Sequence, residues 1–147
     1  MKSFFAVIAV VFLAGCIPSA SLDPLTLEKS GVPTGEVYVF RDQSHFGFPY
    51  KSDTWYVVVD GHTIAGLKPG EYTRFKARAG TILNLTVKRW DLSWEEREYP
   101  KIIEPDAKYY ILTGVESWAT EIFFKLLPEE DASAWLKADT YVPAAVN

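Results

Sequence analysis

The stretch Trp55-Tyr56-Val57-Val58-Val59-Asp60-Gly61-His62-Thr63-Ile64-Ala65-Gly66-Leu67-Lys68-Pro69-Gly70 decides the fold. Trp55 to Val59 is short, apolar on both faces and rich in β-branched residues, which is the signature of a buried strand. It runs into Asp60-Gly61, a strong two-residue hairpin signal. The partner strand is expected over Thr63 to Leu67. Whether the turn is Asp60-Gly61 or Gly61-His62, Ile64 falls on the same face as Val57 and Val59. A second turn is expected at Lys68-Pro69-Gly70, where proline and glycine preset the backbone.

The same grammar extends in both directions. Val37-Tyr38-Val39-Phe40 is apolar on both faces, as in a strand held between two layers. Tyr72 to Ala77 alternates, with Thr73, Phe75 and Ala77 on one face and Arg74, Lys76 and Arg78 on the other. Ile82 to Trp90 carries Leu83, Leu85 and Val87 on one face. A three-residue loop, Arg78 to Gly80, pairs Phe75 with Leu83 and places glycine where a left-handed residue is needed; it predicts a second hairpin. Tyr99 to Ile103, Tyr109 to Val115 and Thr120 to Leu127 are further expected strands, with a turn at Glu104-Pro105-Asp106. Pro128 then opens a helix whose first turn holds Glu129, Glu130 and Asp131, favourable at the positive helix end. Ala132, Trp135 and Leu136 form its apolar stripe. Seven or so short strands and one C-terminal helix imply an all-β chain, a single antiparallel β-sandwich. The expected division is a signal peptide over 1–15, a tether over 16–35, the sandwich over 36–138 and a loosely held tail over 139–147. Leu25-Thr26-Leu27, inside the tether, reads equally as part of a free arm and as a short edge strand.

Several segments together resemble a family of bacterial lipoproteins carrying the domain of unknown function 2846. They are Val37-Tyr38-Val39-Phe40-Arg41, Val58-Val59-Asp60-Gly61, Gly66-Leu67-Lys68-Pro69-Gly70-Glu71-Tyr72, Lys108-Tyr109-Tyr110-Ile111-Leu112 and Glu129-Glu130. The resemblance covers most of Glu36 to Leu136 and departs from the family at Arg78-Ala79-Gly80. It implies a small sandwich of roughly transthyretin-like type and no particular activity.

The N-terminus gives an address. Met1-Lys2-Ser3 precedes an apolar run from Phe4 to Leu13, closed by Leu13-Ala14-Gly15-Cys16. Charge, apolar run and small residues before a cut make a secretory signal. The closing four residues resemble the lipobox of bacterial lipoproteins, with cleavage between Gly15 and Cys16. Cys16 would then carry a diacylglyceryl group and an amino-terminal acyl chain such as palmitate, these covalent lipids being the only cofactor expected. The apolar run is about half of the ~20 residues that span a bilayer, so the lipid anchors and nothing spans. Ile17, which is not aspartate, favours the periplasmic face of the outer membrane. Cys16 is the chain's 1 cysteine, so its lipidation leaves no thiol for a disulfide, a metal or catalysis.

A net charge of −4 argues against nucleic acid as a partner. His45 and His62 have no neighbouring ligand at metal spacing, and no nucleophile elbow is present. A non-enzymatic binding or assembly module for an envelope protein or glycan is therefore the expected function. The alternative is small-ligand, glycan or peptide binding through the aromatic 42–55 loop, where His45, Phe46, Phe48, Tyr50 and Trp55 cluster around Gly47 and Pro49. The same rings would equally serve to cap an open end of the sandwich.

Overall fold

The computed structural model describes residues 31–43, 54–89, 102–115 and 122–144. These residues form eight strands: β1 (Thr34–Arg41), β2 (Trp55–Val59), β3 (His62–Leu67), β4 (Glu71–Arg78), β5 (Leu85–Arg89), β6 (Lys108–Val115), β7 (Ile122–Leu126) and β8 (Val142–Pro143). Among the described residues one helix, α1 (Glu129–Lys137), precedes β8. The strands form a five-stranded sheet, β7-β6-β1-β4-β8, facing a three-stranded sheet, β3-β2-β5. The all-β sandwich with one short C-terminal helix is thus the observed architecture.

β1 is the spine. Its odd residues Val37 and Val39 pack with Phe75, Ala77, Tyr109 and Ile111 against Val57, Leu67 and Leu85 of the small sheet, and Leu83 and Ile103 join them. Its even residues Tyr38 and Phe40 face the other way, with Tyr110, Leu127, Ala132 and Tyr141. The large sheet is therefore a middle layer, which is why Val37 to Phe40 is apolar on both faces. The outer cover is α1 and the segment after it. Pro128 at the helix start and three acids in the first turn stand as the sequence predicts, and Ala132 is fully buried.

The β2–β3 hairpin turns at Asp60-Gly61, with φ of 48° and 82°. Both central residues are left-handed, as a turn matched to strand twist requires. Val59 pairs with His62, and the register shifts between Val57 and Val58, leaving Ile64 as a bulge. Ile64 still packs against the core shared by Val57 and Val59.

Four expectations change. Pairing is mixed rather than wholly antiparallel, because β6 runs parallel to β1, with Val39 opposite Ile111. The hairpin expected at Arg78–Gly80 is absent: β4 pairs with β1 and β5 pairs with β2. The chain instead crosses between sheets there, with Gly80 left-handed at φ 78°. Phe75 and Leu83 do share a core, but Leu83 lies in the crossing segment ahead of β5 rather than opposite Phe75 in a hairpin; face matching holds equally for residues that meet across a sandwich. The tail expected after Asp139 is docked as far as Ala144: Tyr141 is buried, and β8 lies parallel to β4. Finally, the sandwich begins at Thr34, inside the expected tether. The strand expected over Tyr99 to Ile103 lies largely outside the described residues; Ile102 makes a single bridge to Ile82.

Candidate functional site

The two ends of the sandwich differ in chemistry. At the end of β1, Arg41 takes the inward position that follows Val37 and Val39. Only 3% of it is exposed. Its Nη1 donates to the carbonyl of Leu67 at 2.8 Å, and its guanidinium carbon lies 4.3 Å from the ring centroid of Trp55. That ring–cation contact, shielded from water, contributes about 2 kcal/mol. Thr113 is opposite Arg41 in the parallel register and is fully buried. The Oγ1 of Thr113 and the Nε1 of Trp55 are buried with no hydrogen-bond partner among the described residues. Each such group costs about 1–3 kcal/mol. They concentrate unspent polarity at one place.

Main-chain bonds gather the neighbouring segments at this pole. The amide of Asp42 donates to Thr113 O at 2.8 Å, and that of Gly70 to Arg41 O at 3.1 Å. The side-chain amide of Gln43 donates to Thr140 O. The strand ends flanking 44–53 and 116–121 lie here together, because Trp55 pairs with Leu67 and Arg89, and Val115 pairs with Ile122. Of the aromatic loop residues, His45, Phe46, Phe48 and Tyr50 lie outside the described residues, as do Gly15 and Cys16. Trp55 is 4% exposed, packed under Arg41. Its ring belongs to the wall of the sandwich rather than to an outward-facing loop. His62 is far off at the opposite end of β3, and the carboxylate of nearby Asp60 accepts from Asn84 at 3.3 Å.

Arg41 is the residue the sequence reading passed over. The signal was present: a charge stands in phase with two core valines, at the end of the same strand. Thr113 has no comparable signal, since threonine is common on any strand. Arg41→Ala is expected to lower stability by about 3 kcal/mol, by opening space against Trp55 and orphaning Leu67 O. Arg41→Met keeps an apolar stem on the ring and should recover more than half of that loss in urea denaturation. Equal losses for both variants would show that the bond to Leu67 dominates instead.

On the outer face, six rings meet under α1. Tyr38 and Tyr110 stack at 4.9 Å. Phe40 stacks on Tyr72 at 5.5 Å and meets Tyr141 edge-on at 5.2 Å. Trp135 stacks on Tyr141 at 5.0 Å. The Tyr110 hydroxyl donates to Glu129 at 3.3 Å. Burial, reinforced by the Glu129 charge, pushes the Tyr110 phenol up to about 12. Burial and the charge of Asp42 push Tyr141 up to about 12 as well. Burial also raises Tyr38, whose hydroxyl donates to Glu36 at 3.1 Å. Among the described residues, no group of three or more histidine, cysteine, aspartate or glutamate side chains is placed to hold a metal ion. No helix among them is long and apolar enough to cross a membrane. Comparison of the chain with protein-family models, curated proteins and solved structures finds no match.

Proposed function

We propose that this chain is a lipid-anchored, non-enzymatic binding or assembly module of the bacterial cell envelope, held through Cys16 at the periplasmic face of the outer membrane. The observation that carries this reading is the sequence Leu13-Ala14-Gly15-Cys16 behind an apolar run, ahead of a sandwich that the chain enters at one pole. The order of motifs from Val37 to Glu130 supports a place among the lipoproteins with the domain of unknown function 2846. The Arg41 pole is the recognition end in this account. It lies across the length of β1 from the point where the chain enters, which over 8 residues is roughly 25 Å.

Site-specific photo-crosslinking in intact cells tests this directly. A photoreactive residue at Lys68, exposed in the turn beside this pole, is expected to give one discrete envelope-protein adduct. The same probe at Lys108, exposed at the opposite end of the large sheet beside Glu36, should not give it. Absence of any adduct from positions around the Arg41 pole, with the protein folded and lipidated, would contradict the reading.

The two buried polar atoms at this pole that have no hydrogen-bond partner among the described residues favour a second reading, capture of a small ligand, glycan or peptide by the 42–55 loop. Alanine at Phe46 and Phe48 would then abolish a measured affinity while leaving the melting temperature nearly unchanged. A collapse in stability would instead make those rings core.

A further inference from the structure

The pole opposite Arg41 carries an apolar pair that the core does not use. Ile82 and Ile102 face each other in an antiparallel bridge, and they are 55% and 63% exposed. Their neighbours Leu83 and Ile103 point inward and are buried, so alternation turns Ile82 and Ile102 away from the core. Two large aliphatic side chains set side by side in water signal a contact surface more than two scattered ones do.

Where the chain enters says what covers them. The carbonyl of Pro33 accepts from Ala79 at 2.8 Å, Gly80 N donates to Ile103 O at 2.7 Å, and Ile103 N donates to Thr81 O at 2.9 Å. The first described residues therefore arrive at the same corner as the isoleucine pair. Between Cys16 and Gly31 stand residues 17–30, which fully extended reach at most roughly 50 Å. A lipid on Cys16 thus ties the domain to the bilayer through this corner, which stands nearer to the anchor along the chain than the Arg41 pole does.

We propose that the Ile82–Ile102 pair is a bilayer-contact surface, pressed onto the lipid by the anchor on Cys16; it rests on the reading of Cys16 as lipidated. Two isoleucines bury too little area to hold a free domain on a membrane. A short tether supplies the rest, because it raises the local concentration of the surface to the millimolar order. Charge contributes little: Arg78 and Lys108 are exposed near this pole, and so are Glu104 and Asp106. Contact is accordingly expected to be insensitive to salt. With this pole against lipid, the Arg41 pole faces away from the membrane.

The lipidation of Cys16 makes the test clean, since a new cysteine is then the only free thiol. Full-length lipidated Ile102→Cys and Lys68→Cys, each labelled with an environment-sensitive dye, are reconstituted into vesicles of phosphatidylethanolamine and phosphatidylglycerol at three to one. The dye at position 102 is expected to shift to the blue and to be quenched by brominated lipid, with no change in high salt. The dye at position 68 should report water. Ile82→Ser in the Ile102→Cys background should move the emission back toward that of water, and an unlipidated soluble form should show no shift with the same vesicles. A dye at position 102 that reports water in the lipidated protein overturns the contact and leaves the anchor standing. One that is shielded equally without vesicles overturns it too, in favour of cover by the chain's own arm or a second copy. A mass showing Cys16 without lipid overturns both readings.

Discussion

Phe40→Ala is expected to remove about 3–5 kcal/mol of stability, the range for truncating a buried phenylalanine. Phe40 is fully buried and sits where the two halves of the outer layer meet. It stacks on Tyr72 from β4, meets Trp135 from α1 edge-on at 5.9 Å, and meets Tyr141 edge-on at 5.2 Å. Truncation therefore opens a cavity bounded by rings from three separate segments. The loss is comparable to half of a small domain's total stability. It should also appear locally, as faster amide exchange at Ala138 and Ala144, whose amide bonds hold the end of α1 and the docked tail. A substitution of equal size on the inner face, such as at Ile111, should destabilise without that local signature. If Phe40→Ala costs less than about 1 kcal/mol, the ring layer does not hold α1 to the sheet.

The second large effect is unfolding in alkali. The free tyrosine phenol titrates at 10.0, whereas Tyr110 and Tyr141 are pushed up to about 12. Below pH 10 both states keep their protons and stability is complete. Between pH 10 and 12 the unfolded chain releases protons that the folded chain retains, so stability falls as pH rises. Each group loses about 1.4 kcal/mol per pH unit. Together, discounted for solvent screening at the hydroxyls, they remove at most a few kcal/mol across that window, a large share of a marginal domain's stability. The expected record is tyrosinate absorbance rising cooperatively with loss of the β-sheet circular dichroism signal. Tyr141→Phe removes one share, so its midpoint should move to higher pH. Smooth ionisation of all tyrosines with the sheet signal intact up to pH 12 would show that water reaches these phenols.

What the sequence carried, and what it did not, follows from the range of each signal. The β2–β3 hairpin was legible because its turn, Asp60-Gly61, is local chemistry. The left-handed residue at Gly80 was legible for the same reason. The partner of β4 was not, because alternation states which face meets the core and is silent on which strand shares the hydrogen bonds. Parallel pairing of β1 with β6 joins strands separated by most of the domain, and no local pattern marks it. The docking of Tyr141 had no local signal, because β8 is only 2 residues long and shows no strand-length alternation. It depends on Trp135 and Phe40 arriving from elsewhere. At the candidate site, the burial of Trp55 was legible from its place at the head of an apolar strand, but the Arg41 guanidinium packed on its ring was not, because the two residues come from different sheets.

The two poles give the account a direction. The chain enters beside Ile82 and Ile102, and Arg41, Trp55 and Thr113 stand at the other end of the sandwich. In the function and contact proposed here, a module arranged in this way would present its polar-cored pole to the periplasm and its apolar corner to lipid. All of this depends on Cys16. The mass of the mature N-terminal peptide from membrane-extracted protein tests it most directly. The account predicts a chain beginning at Cys16 and bearing a diacylglyceryl thioether and an amino-terminal acyl group, with Cys16→Ser released from the membrane fraction. A mature chain beginning elsewhere, or an unmodified Cys16 thiol on protein that is still membrane-bound, would contradict it.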